Sequence, residues 1–286
     1  MINHKSIKYF EKIFLLLVNF FKFFQNKNSL RVLVYHHIEK KNFIKFYNHL
    51  KYLKKEWNFV TPPQFENHLS GKKKLKGKNL LLTFDDGFKS NFYVEKKILS
   101  KLNIRAIFFV PSDFVKLKSF KKSQKFITEN ILDHIRPKDF KTLRNMSIKD
   151  LKILSKKGHV IGCHTKTHAN LGLIKDISRL KNEIIESSKI LEKSLKTNVR
   201  HFAFSYGNYK SMNSESLKIT FKKYNFVYSC LRGNNFYNHE NCLIKRDTVY
   251  LDSSNDLLKI FLSGIIDLKY LFQLKKINNK IIKMKN

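Results

Sequence analysis

The chain is poor in the residues that punctuate or staple a fold: three Cys, four Pro and nine Gly in 286 residues. So few Cys exclude a disulfide scaffold, and so few Pro and Gly exclude collagen-like and linker-dominated chains. Acidic residues are also scarce, 22 Asp plus Glu against 57 Lys plus Arg, which leaves a formal net charge of +35. Of those cationic residues only 8 are Arg and 49 are Lys. Scarce Arg, the preferred base reader, and the lack of any recognised nucleic-acid motif turn the charge away from nucleic acid. No uninterrupted apolar run reaches the roughly 20 residues that span a bilayer. What the chain does have is core material: 42% hydrophobic residues, 14% aromatic, and 26 Phe. That excludes a wholly disordered chain. The length suits one large domain or two small ones. The Lys excess is compatible with codon bias, an anionic membrane surface or an acidic substrate.

Both ends are amphipathic. Residues 1–30 carry the run Ile13 to Val18 and then Phe20, Phe21, Phe23 and Phe24, interrupted by Asn19 and Lys22. No small-residue cleavage site follows, so a cleavable signal peptide is not evident. Lys5, Lys8, Lys12, Asn19, Lys22 and Asn26 recur at helical spacing on one narrow stripe. A Lys-dotted stripe against a wide Phe/Leu face describes an interfacial helix, and equally a helix packed on the domain with its Lys in water. The segment 256–286 repeats the theme with Ile260, Phe261, Leu268, Leu271 and Phe272 among Lys259, Lys269, Lys275 and Lys276. It reads as a basic tail for anionic lipid or as a last helix closing the fold.

Between them, residues 31–255 alternate strands and helices. Strands are expected at Val32–Tyr35, Leu80–Phe84, Ala106–Val110, 159–162, 202–204 and 226–228. Helices are expected over 42–56, 90–102, 147–158, 174–195 and 213–224, the third opened by Ser147 as N-cap and closed before Gly158. Residues 112–145 resist assignment. Such alternation implies parallel pairing, an α/β fold and one domain. Polar clusters follow three of the strands: Tyr35-His36-His37, Asp85-Asp86-Gly87 and His164. In parallel α/β architectures the strand C-termini gather the active site, so these clusters should meet.

Asp85 and Asp86 end an extended segment, and alternation points them in different directions, toward different jobs. Alone, Asp-Asp-Gly describes a polar turn. His164 and His168, at i and i+4, fall on one side of a helical turn and can share a metal. Alone, they describe two surface histidines. Two His plus one Asp leave an open position for water, as in catalytic zinc; Fe(II) and other divalent ions suit the same set.

Taken together, Thr83-Phe84-Asp85-Asp86-Gly87, then Ala106-Ile107-Phe108-Phe109-Val110, then His164-Thr165-Lys166-Thr167-His168, then Phe204-Ser205-Tyr206-Gly207 resemble the ordered motifs of the polysaccharide deacetylases, the NodB-homology enzymes of carbohydrate esterase family 4. The resemblance covers about residues 31–248 and implies a distorted parallel (β/α) barrel of NodB type, here with amphipathic helices at both ends. It implies a hydrolase that removes the N-acetyl group of an amino sugar in a polysaccharide or lipid-linked glycan. Asp85 would be general base and Asp86, His164 and His168 would hold a divalent metal, zinc foremost. Tyr206 would offer a backbone N–H to the oxyanion.

There are departures. No His follows His239, where the family commonly has its general acid. Tyr35-His36-His37-Ile38 resembles the N-terminal Tyr-His-x-Ile of the poly-N-acetylglucosamine deacetylase branch, which makes His36 the general acid, or His37 if the register shifts by one. Ala203 or Phe204 stands where the family has an Arg that orients the catalytic Asp; Arg246 or Arg200 is left to fill that role. Ser205 replaces the usual Pro. Hydrolysis of another N-acyl group, such as a formyl, and a non-catalytic basic binding module are the competing functions. The expected location is peripheral, on an anionic membrane surface at the cytoplasmic face of a bacterial inner membrane.

Overall fold

The computed structural model describes residues 28–131, 143–236, 243–251 and 253–285. The expected amphipathic segment 1–30 falls almost wholly outside them.

Eight strands form one sheet: β1 (Ser29–Tyr35), β2 (Asn58–Phe59), β3 (Lys78–Phe84), β4 (Ala106–Val110), β5 (Val160–Cys163), β6 (His201–Ala203), β7 (Phe226–Tyr228) and β8 (Asp247–Thr248). The order is β7-β6-β5-β4-β3-β1-β8, with β2 also on β3, and every pairing is parallel. Helices cover the sheet, which curls into a distorted (β/α) barrel of NodB type. Residues 244–248 stitch its two edges together. Ile244 donates its N–H to Val227 and accepts from Ser229 (2.8 Å each), both beside β7, and Asp247 and Thr248 then pair with Leu33 and Val34 of β1.

The period-2 alternation of the strands sorts their side chains into two layers. Leu33, Tyr35, Leu82, Phe84, Phe108 and Val110 pack outward into the main core with the helices. Leu30, Val32, Leu81, Ile107, Phe109 and Tyr228 form a second cluster on the inner face. Strands this buried on both sides read as continuous apolar runs, which is why β3 and β4 stand out in the sequence. β2 and β8, two residues each, are too short to leave any pattern.

The helix Ile148–Lys156 starts as its sequence directs: Ser147 Oγ accepts from the Asp150 N–H, and Asp150 returns a bond to the Ser147 N–H. Gly158 ends the segment at φ +82°. Residues 112–131 contain two helices, Ser112–Val115 and Phe120–Asn130. The helical stretch 177–195 is not uniform: it widens to a π-helical turn over Asn182–Glu186. At the C-terminal end the helices Asn255–Ser263 and Leu271–Lys285 bury Leu258, Leu262, Ile277 and Ile281 in the main core. Leu268, Leu271 and Phe272 stay exposed beside Lys269, Lys275 and Lys276. No helix among the described residues is long and apolar enough to cross a membrane.

Candidate active site

Because every strand runs the same way, the segments leaving β1, β3, β5, β6 and β7 share one rim. A cavity of about 450 Å³ opens there, lined by His36, Asp85, Asp86, His164, His168 and Tyr206 among others. The structure thus brings together all six residues singled out in the sequence.

The two aspartates have separate surroundings. Asp85 is buried and accepts a bidentate pair of bonds from Arg246, Nη1 to Oδ1 at 2.7 Å and Nη2 to Oδ2 at 2.8 Å. Burial works against its ionisation, but Arg246 and then His164 outweigh it and hold the carboxyl below its usual range. Asp86, with φ +68°, turns the other way. Its Oδ1 lies 3.5 Å from His164 Nε2 and 3.3 Å from His168 Nε2. Burial again opposes ionisation, and the two imidazoles override it and hold the carboxyl well below the ordinary range. His168 is shifted up: burial lowers it, and Asp86 more than compensates.

The histidines do not sit on a helical turn. Residues 164–168 form a loop after β5 in which Thr165 (φ +62°) and His168 (φ +65°) are left-handed. That backbone, rather than i/i+4 helical geometry, brings the rings to 5.1 Å between centroids. Left-handed non-glycine residues cost free energy and persist where surrounding contacts enforce them. Glu183 enforces this loop: its Oε2 accepts from the N–H groups of Lys166 (3.0 Å) and Thr167 (2.9 Å), and its Oε1 from the Thr167 hydroxyl (2.8 Å). Glu183 lies on the π-helical turn, and nothing in the sequence marks it among the other charged residues of that helix.

The donor set fits a metal ion. One ligand atom each from Asp86, His164 and His168 lie within 4.8 Å of one another. His164 Nδ1 donates to the Ala203 carbonyl (2.7 Å) and His168 Nδ1 to the Asn130 carbonyl (2.8 Å), which turns both Nε2 atoms inward. Asp86 Oδ2 is buried and has no hydrogen-bond partner among the described residues, the kind of orphaned acceptor that a cation satisfies. The backbone carbonyls of Ala203 and Asn130 carry no side-chain signature, so this support is invisible in the sequence.

The remaining roles separate as follows. His36 is half-buried on the cavity wall, and its charge is felt by both Asp85 and Asp86. His37 instead faces Ser90 Oγ (Nδ1 at 2.7 Å) and the Phe88 ring, and burial pushes its pKa down to about 4. Of the two candidate arginines, Arg246 meets Asp85, whereas Arg200 pairs with Glu66 (2.5 Å) beside His201. Arg246 is fully buried, with Phe109 and Tyr228 against its guanidinium and Nε donating to the Ser229 carbonyl (2.8 Å). Tyr206 (φ +64°) lies over His168, at 5.2 Å between ring centroids. Gly207 follows at φ +61°, and a Cβ there would sit 2.5 Å from the Cys230 N. Ser205, in place of Pro, does not leave the loop loose: its hydroxyl lies 3.3 Å from that of Thr165 and 3.4 Å from the His164 carbonyl. Cys163 and His159 are buried; burial pushes the Cys163 thiol up to about 11.

Known proteins agree with this architecture. The family model for polysaccharide deacetylases matches residues 72–220. The chain belongs to the polysaccharide deacetylase family, whose members hydrolyse amide bonds and generally use a divalent metal. No curated protein matches it significantly. Among solved structures it is similar to IcaB from Ammonifex degensii, at 23% identity and TM-score 0.64 over 84% of this chain and 98% of that one. It is similar to the Streptococcus pyogenes deacetylase PplD, solved with acetate, at 20% identity and TM-score 0.64 over 83% and 99% of the two chains. A de-N-acetylase from Aggregatibacter actinomycetemcomitans matches at 17% identity and TM-score 0.61 over 82% and 100%. At these identities the likeness concerns the fold.

Proposed function

We propose that the protein is a metal-dependent N-deacetylase that releases acetate from an N-acetylated amino sugar in a polysaccharide or lipid-linked glycan. The observation that carries this reading is the juxtaposition, in one cavity, of an Asp-His-His ligand set with a second aspartate kept ionised by a buried arginine. Asp86, His164 and His168 hold the metal, which we take to be zinc. When bound, it supplies Lewis-acid polarisation of the amide and acidification of a water.

The chain's own residues do the rest. Asp85 takes the proton of the attacking water as general base, and Arg246 keeps its carboxylate aimed and charged. The Tyr206 backbone N–H donates to the developing oxyanion, in a left-handed turn that Gly207 makes possible. His36 delivers a proton to the departing amine, a role of the kind worth about 10²–10⁴-fold. His37 is held by Ser90 and stays neutral, which favours His36 as the acid.

The exposed Leu268, Leu271 and Phe272, set among Lys269, Lys275 and Lys276, support a peripheral position on an anionic membrane, which we assign to the cytoplasmic face of a bacterial inner membrane. The test is acetate release from N-acetylhexosamine oligomers and lipid-linked N-acetylhexosamine, with and without chelator. Release abolished by chelator and restored by zinc is expected. Chelator-resistant hydrolysis, or none on either substrate, would overturn the assignment.

A further inference from the structure

A second, larger groove of about 1030 Å³ adjoins the catalytic cavity, and His37 and Ile38 line both. Its walls are apolar: Phe43, Ile44 and Tyr47 from one helix face Tyr93 and Ile98 from another, with Leu143 alongside. Ile44 is 77% exposed, costly for a side chain whose apolar surface gains by leaving water. The rim is of one sign. Lys40, Lys89, Lys97, Lys101 and Arg144 line the groove, and among the described residues no acidic one does. Lys89 is paired with Asp150, whereas Lys40, Lys97 and Lys101 are exposed at the edge. An apolar trough with a cationic rim is complementary to one kind of molecule, a hydrocarbon chain that ends in an anion.

We propose that this groove holds the hydrocarbon chain and phosphate of a lipid carrier, so that the substrate of the metal site is an N-acetylated amino sugar linked to a lipid phosphate. The proposal rests on the deacetylase reading and narrows its substrate class. Continuity through His37 and Ile38 places the chain's anionic end toward the catalytic cavity, where a sugar on that phosphate would enter. A neutral oligosaccharide would stack on Phe43, Tyr47 or Tyr93 but leaves the cationic rim without a counterpart. The chain's own segment 1–27 is apolar but carries Lys5, Lys8, Lys12, Lys22 and Lys27 against one acidic residue, Glu11. Its charge matches the rim in sign and argues against it as the occupant.

Two measurements on the full-length protein separate the proposal from the activity on which it rests. The first is binding of monododecyl phosphate below its micellar concentration, compared with inorganic phosphate and with uncharged dodecyl maltoside. The wild type is expected to bind dodecyl phosphate at least about tenfold more tightly than either control, and Ile44→Asp and the double variant Lys40→Glu/Arg144→Glu, at the end of the groove nearest the catalytic cavity, to lose that preference. All three substituted residues are exposed, so the fold is retained. Equal affinity for the maltoside, or unaltered binding by both variants, overturns the proposal. So does a full-length Phe20→Ser/Phe21→Ser variant that binds the probe more than about tenfold tighter than wild type, since that identifies residues 1–27 as the groove's own occupant. The second measurement is kinetic. On N-acetylglucosamine carried by a diphosphate-linked isoprenoid, the same variants are expected to raise KM at least about tenfold, with little change on a soluble N-acetylglucosamine oligomer. Equal effects on both substrates overturn the proposal. Hydrolysis of neither, with probe binding intact, indicts the deacetylase reading instead.

Discussion

At the scale of single residues, the division of labour between Asp85 and Asp86 follows from which neighbour each meets. Alternation along a strand is not what separates them: β3 ends at Phe84, and the left-handed turn at Asp86 (φ +68°) sends one carboxylate to a guanidinium and the other to two imidazoles. Asp85→Asn is expected to reduce turnover by about 10²–10⁴-fold, while zinc stoichiometry by atomic absorption stays at the wild-type value. An active variant, or one that has lost its metal, would contradict the base assignment. Arg246→Leu leaves a buried carboxylate without its partner and is expected to cost about 3–5 kcal/mol of folding stability in urea titration. The metal-set residues were legible in the sequence because strand ends and motif order pointed to them. Arg246 was legible only as one of two arginines. Its choice over Arg200 depends on where residues 244–248 dock, a pairing between segments more than 200 residues apart that no local pattern encodes.

At the scale of elements, the loop 164–168 shows how a correct pairing can rest on the wrong local geometry. The spacing of His164 and His168 brought them together on paper as a helical turn. The chain achieves it with two left-handed residues and a buried carboxylate from the facing helix. Glu183→Ala is expected to weaken zinc affinity by about 10–100-fold, the usual size of an outer-shell loss, while the strands remain intact by circular dichroism. Unchanged affinity would mean that the loop holds its form without Glu183. The turn at Tyr206 and Gly207 is constrained in another way. Gly207→Ala forces a Cβ against the Cys230 backbone, so kcat is expected to fall with metal content preserved. The six larger strands and most helices were legible because their apolar periodicity is long enough to read. The short β2 and β8, and the π-helical widening at 182–186, depend on tertiary pairing and left no local trace.

At the scale of the whole molecule, the +35 charge does not reside in the site cavity, whose described lining holds Glu39, Asp85, Asp86 and four histidines and no Lys or Arg. It is distributed over the surface, the groove rim and the exposed C-terminal helices included. The buried histidines set the response to acid. Burial lowers His49 and His159 to about 4, from an unfolded value near 6.5. Between those values the unfolded chain binds more protons than the folded one. Stability is therefore full above about pH 6.5 and falls as pH drops toward 4, by up to about 1.4 kcal/mol per pH unit for each histidine. Urea titrations near pH 7 and near pH 5 should show a stability difference that His49→Gln reduces. An identical difference in the variant would locate the acid sensitivity elsewhere.

The stitch at residues 244–248 has a consequence for synthesis. A ribosome would deliver Asp85, Asp86, His164 and His168 well before Arg246, so the four side chains assigned above to base and metal exist on a nascent chain that lacks the cation needed to bury Asp85 in ionised form. The same few residues that complete the barrel also bring that cation into place. On the proposed mechanism, closure of the sheet and arming of the base are one event, and a prematurely released polypeptide ending before Arg246 is expected to carry the family's motifs without a functioning centre.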